Sequence, residues 1–164
     1  MTNAELIPNQ VVVGERNYEV ALNLVIARAD SELLIFDTDL SHGAYSSQKR
    51  FELINQFLTK QPKNRLTIVL LDARYFMQYC PHLFDLLENY SHRMTVYKTN
   101  ETAKIAQDCF VIADKQHVIR RFNKDQARFK YTLNDEDVAA QLTMRFNDLL
   151  EETTESISYN QLGL

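Results

Sequence analysis

The stretch that most constrains the fold runs from residue 108 to residue 122. An apolar run, Cys109 to Ala113, ends at Asp114. Lys115 and Gln116 follow, and a second run spans His117 to Phe122. A run, a short polar link and another run form the pattern of a β-hairpin. The first run is apolar on both sides, as a strand covered by other layers must be. The second carries Arg120 and Arg121 near its end. The link has neither Gly nor Asn, which leaves the turn type open. These residues speak to fold and name no activity.

The chain ahead of the hairpin alternates helices with short apolar strands. Tyr18, Ala21, Leu22, Val25, Ile26 and Ala29 form the apolar stripe of a helix over 15–29. A buried strand, Leu33 to Phe36, ends at Asp37. Ser47 to Lys60 is helical, with Phe51, Ile54, Phe57 and Leu58 on one face. A second strand, Leu66 to Leu71, ends at Asp72. Residues 74–89 read as helix with a break or restart at Pro81. Met94 to Tyr97 is a third strand, and 101–107 a short helix or loop. Beyond the hairpin, Arg128 to Thr132 alternates as a further strand. Leu133-Asn134-Asp135 offers a cap for a last helix over 138–150. This order indicates one α/β domain with a mixed sheet. Residues 1–14 read as an irregular lead-in with one β-like piece, Val11 to Val13. Residues 15–152 read as the domain and 153–164 as a loose tail.

Composition narrows the function classes. The 164 residues suffice for one core, and the net charge of −4 argues against a protein that binds nucleic acid or membrane with its whole surface. No apolar run approaches a membrane span, and the N-terminus lacks the pattern of a signal peptide, so a cytoplasmic protein is expected. Cys80 and Cys109 sit in apolar surroundings and are expected to be buried thiols, and without His at ligand spacing they make no zinc site. Three glycines exclude the Gly-rich phosphate loops.

The hairpin also carries a resemblance. Phospholipase-D-like domains bear the pattern His-x-Lys-x4-Asp here, and Asp114 matches its Asp. Gln107 stands at the place of the His and Cys109 at that of the Lys. The chain thus resembles an uncharacterised bacterial family of phospholipase-D-like domains with the motif degenerate. The resemblance implies a mixed sheet with helices packed on it, over roughly residues 18–152. It also implies a homodimer, because such enzymes pair two half-domains.

In open α/β sheets, ligands bind beyond the carboxyl ends of the strands. That rule singles out Asp37 and Asp39, Asp72 and Arg74, and Asp114, with His42 nearby in the first loop. Asp37, Asp39 and Asp72 would suit Mg²⁺, a cation that prefers oxygen ligands. The plainer reading is that aspartates end strands and hold turns. Residues 33–41 are similar to the first motif of haloacid-dehalogenase-like phosphatases, which implies Asp37 as nucleophile and Asp39 as acid/base. Ser41 matches that motif imperfectly, Asp72 stands where the family needs Ser or Thr, and Asp114 lacks an acidic neighbour. None of His42, His82, His92 and His117 lies in a His-x-Lys or His-Glu-x-x-His setting. His42, close to Asp39, could serve as an acid/base, although a lone loop His is more often a solvated side chain.

The basic stretch is the most distinctive chemistry. Lys115, Arg120, Arg121, Lys124, Arg128 and Lys130 fall close together, with Phe122, Phe129 and Tyr131 interleaved. Arg120, Arg121, Lys124 and Arg128 form a candidate anion site for phosphate groups or a nucleic-acid backbone. The competing reading is a solvated sheet edge that blocks mispairing. In active relatives the motif His forms the covalent phospho-intermediate, and Gln cannot replace it as a nucleophile. The expectation is a non-catalytic domain that binds an anionic ligand or a protein partner, without a cofactor. The alternative is a Mg-dependent phosphoester hydrolase using Asp37, Asp39 and Asp72.

Overall fold

The computed structural model describes residues 6–100 and 105–158. Its strands are β1 (Val12–Val13), β2 (Glu32–Asp37), β3 (Arg65–Leu70), β4 (Met94–Thr99), β5 (Cys109–Ala113), β6 (His117–Asn123), β7 (Gln126–Thr132) and β8 (Thr153–Ile157). Its helices are α1 (Glu15–Ala27), α2 (Gln48–Lys60), α3 (Arg74–Tyr79), α4 (Pro81–Asn89) and α5 (Glu136–Glu151). The helix expected over 74–89 is two helices, with Pro81 at the first position of α4, where its missing N–H is harmless. Asp135 caps α5 by accepting the Val138 N–H.

The strands form one mixed sheet in the order β1-β7-β6-β5-β2-β3-β4-β8. β2, β3 and β4 run parallel, and β5 enters antiparallel beside β2, with Leu33 opposite Ala113 and Phe36 opposite Phe110. Helices α1 to α4 cover one face over a core that includes Tyr18, Leu22, Ile35, Ile68, Val111 and Phe129. α5 covers the other over Phe36, Val69, Phe110, Ile112 and Phe146. All five residues of β5 are buried, which explains its apolar run.

The hairpin turn is made without Gly. Asp114 and Lys115 both hold φ of 56°, the left-handed pair of a type I′ turn, and the Gln116 N–H donates to Ala113 O at 3.0 Å. Asp is among the non-glycine residues that enter that region most readily.

Both outer segments depart from the expected boundaries. Val12 and Val13 pair with Phe129 and Arg128, so part of the lead-in is an edge strand. Thr153–Ile157 pairs antiparallel with β4, so this part of the expected tail is the opposite edge strand. Its polar sequence hid it, because Ile157 is the one buried side chain described in it. Residues 101–104 of the expected short helix or loop, and 159–164 of the tail, lie outside the described residues.

Candidate functional site

Because β5 runs antiparallel to β2, its first residues lie at the carboxyl ends of β2, β3 and β4. Gln107 and Cys109 are therefore at the sheet end where ligands are expected, and Asp114 is at the far end. The rule holds for the parallel strands and β5 points the other way, so Asp114 is not at the expected end; it lines a separate cavity of about 360 Å³ with Lys115, Gln116 and Glu136. The Asp114 carboxylate accepts N–H groups from Asp30, Ser31 and Glu32 and the Ser31 hydroxyl, at 2.8–3.0 Å. Burial alone would raise its pKa, but these donors hold it below the usual carboxylate range. Asp114 is a joint between the hairpin turn and the start of β2. His117 shares this end and accepts the Asn134 N–H at Nδ1.

At the ligand end, Asp37 is buried and its carboxyl is pushed up to about 6 by burial, against N–H groups from Leu40 and Asp39. The Cys109 thiol lies beside it and is pushed well above the thiol range by burial and by that carboxylate. Tyr18 and Tyr45 are buried around the same carboxylate. Arg50 stacks over Tyr45 at 4.6 Å and bonds Asn23. The Tyr45 hydroxyl and Arg50 Nη1 are buried without a hydrogen-bond partner among the described residues. Gly43 holds the following loop onto α1. At its φ of 87°, an added Cβ would come 2.6 Å from Leu22 Cδ1.

The two arginines of β6 point to opposite faces, and both are engaged. Arg121 is 1% exposed, stacks over Tyr18, grips Glu15 with two bonds of 2.7 and 2.9 Å, and donates to the carbonyls of Asn123 and Lys124. This corrects the expectation that Arg121 serves an anion site: its guanidinium is consumed inside the protein. Arg120 donates to Asp108 at 2.9 Å, and Arg145 of α5 grips the same carboxylate. Burial pushes Asp108 up, and the two arginines outweigh it and hold the carboxyl below its usual range. Glu15, Asp108 and Arg145 were missed in sequence because their partners lie far along the chain.

Beside this constellation opens a cleft of about 590 Å³ lined by Thr38, Asp72, Arg74, Lys98, Lys124 and Glu155, among others. Arg74 clasps its neighbour Asp72, which lowers the pKa of that carboxyl. Lys124 lines this cleft together with Lys98. Arg128 points elsewhere. His42 stands 3.8 Å from Glu15 at the rim of α1. Asp39 is occupied by the Ser41 N–H and hydroxyl. Among the described residues no three His, Cys, Asp or Glu side chains gather to hold a metal ion, so Asp37, Asp39 and Asp72 do not form the Mg²⁺ set of the alternative reading. The two free cysteines are buried, as expected. No helix among the described residues is long and apolar enough to cross a membrane.

The fold is similar to that of solved structures at low sequence identity. TrmBL2, an archaeal chromatin protein with a novel mode of DNA binding, superposes with a TM-score of 0.66 at 15% identity, over 92% of this chain and 55% of its own. Nuc from Salmonella typhimurium, a phospholipase D family member, gives 0.65 at 12% over 91% and 98%. NucT from Helicobacter pylori gives 0.61 at 12% over 88% and 96%. The fold is phospholipase-D-like. No curated protein matches the sequence. A family model described as a domain of unknown function, DUF7931, matches residues 15–162, and over that span the chain belongs to this family.

Proposed function

We propose that the protein is a non-catalytic phospholipase-D-like domain that binds a phosphate-containing ligand in the cleft of Lys98, Lys124 and Arg74. The observation that carries this reading is the pair of motif places. Gln107 offers no nucleophilic atom, and the buried Cys109 cannot act as a phosphate-binding cation. Cations nonetheless remain beside these places, on the cleft wall. A phosphate there takes charge-assisted bonds from Lys98 and Lys124, with Arg74 fixed at the rim by Asp72. Asp72 and Glu155 in the same cleft favour a compact ligand over a long polyanion. The reading includes a homodimer, in keeping with the paired half-domains of the enzymes this chain resembles.

Titration calorimetry with inorganic phosphate and pyrophosphate tests the cleft. Each of Lys98→Gln and Lys124→Gln is expected to weaken binding about tenfold, the loss of one charged hydrogen bond. Equal affinity in wild type and both variants rules the cleft out. No hydrolysis of a bis-phosphoester is expected. Hydrolysis that disappears in Gln107→Ala would show that the motif place is catalytic after all. A monomer mass by light scattering at micromolar concentration removes the homodimer from the reading.

A further inference from the structure

A second basic surface lies off the cleft, on the sheet face away from α1. Phe129 and Tyr131 bury toward α1, so Arg128 and Lys130 stand exposed on the opposite face of β7. Arg120 of β6 is the register partner of Lys130. Val13 of β1 is the partner of Arg128, and Val11 lies just ahead of β1. These valines are 60% and 50% exposed. Phe122 is half-buried, with the Arg120 guanidinium 5.5 Å from its ring. Arg145 joins Arg120 on the single buried carboxylate of Asp108. The strip therefore carries four cations against one buried carboxylate, with Asp125 at the turn between β6 and β7.

This arrangement is costly to the fold alone. Like charges directly opposite on neighbouring strands repel, and Arg120 and Lys130 are such a pair. Neither Arg128 nor Lys130 pairs with a carboxylate among the described residues. Protection of a sheet edge does not account for them. The side chains rise from the face, and β1 already occupies the edge.

We propose that this strip binds single-stranded nucleic acid. Arg128, Lys130 and Arg120 take successive phosphates, and Phe122, Val11 and Val13 receive unstacked bases. A flat sheet face with cations and apolar side chains at hand suits splayed bases better than a duplex. Side chains two apart on a strand lie roughly 6.6–6.8 Å apart, a spacing that lets neighbouring cations serve different phosphates. The inference stands on a different surface from the cleft and does not depend on it.

The test is fluorescence anisotropy of a labelled 12-nucleotide single-stranded DNA with the full chain at several salt concentrations. Arg128→Glu with Lys130→Glu is expected to weaken binding at least tenfold and to lower the salt slope by about 1.4, two phosphate contacts at about 0.7 each. Lys98→Glu with Lys124→Glu is expected to leave this binding within about twofold, which separates the strip from the cleft. The paired change to Gln decides the same point if the Glu variant does not fold. Three results overturn the proposal: no binding by the wild type at physiological salt, equal binding by the strip variant, or tighter binding of a duplex or an anionic vesicle.

Discussion

Asp37 and Asp114 end two neighbouring antiparallel strands at opposite ends of the sheet, and their surroundings have opposite effects. Asp114 collects three N–H groups and a hydroxyl, and its carboxyl is held low. Asp37 collects two N–H groups in a buried setting, and its carboxyl is pushed up to about 6. The same residue type in the same local position thus makes a finished joint at one end and a destabilising charge at the other. Buried polar groups left under-satisfied concentrate where a fold serves a purpose besides stability. Among the described residues such groups gather at the end with Asp37, where Thr38, Tyr45, Arg50 and Thr99 each leave a buried polar atom unpartnered, against Thr132 alone near the motif Asp.

Three substitutions separate these two ends. The largest effect is expected from Arg121→Ala, which removes four hydrogen bonds and a ring contact from the ligand end. Glu15 is about half exposed, so the cost comes from the four lost hydrogen bonds, roughly 1 kcal/mol each, and the lost ring contact, about 3–5 kcal/mol together, to be read from urea unfolding. A loss below about 1 kcal/mol means that the pair with Glu15 does not hold α1 to the hairpin.

Next comes Asp37→Asn. The folded pKa of Asp37 lies above its unfolded value, so the wild type loses stability as pH rises between those two values, from about 4 to about 6. Two pKa units correspond to about 3 kcal/mol, so Asn is expected to stabilise the protein by up to that amount at pH 7.5. The gain should vanish below pH 4. A destabilised variant at pH 7.5 would show that the Asp37 charge is needed to hold Leu40 and its loop.

The smallest effect is expected from Asp114→Asn, which keeps a side chain that tolerates positive φ and one oxygen acceptor. Its cost of about 1–2 kcal/mol isolates the carboxylate charge. That cost is present above the unfolded pKa and is lost as pH falls through the lower folded value. Urea unfolding over a pH series from 7 down into the acid range measures it. A cost that never falls along the series would assign the effect to backbone geometry rather than charge.

Much of the architecture was legible because apolar periodicity reports burial directly. The hairpin, the strands ending at Asp37 and near Asp72, the break at Pro81 and the Asp135 cap all follow from local pattern. β8 was not legible, since an edge strand with one described buried residue has no period to show. The site was half legible. The motif count put Gln107 and Cys109 in place, and Lys124 lines the cleft. Strand direction was not readable from the run itself, so Asp114 was assigned to the wrong end. Nor could adjacency reveal that Arg121 turns inward to Glu15, more than a hundred residues away, while Arg128 turns outward.

The position of β5 between β2 and β6 has a consequence for synthesis. β2 finds β3 on one side soon after it leaves the ribosome, but its other flank waits for β5. Leu33 and Ala113 are partners eighty residues apart. At roughly 5–20 residues per second, that bare apolar edge stays open for about 4–16 s. Through that interval the nascent chain presents the edge that other chains join in aggregation. A chaperone that shields short apolar strands would act there, before the hairpin arrives and closes the sheet.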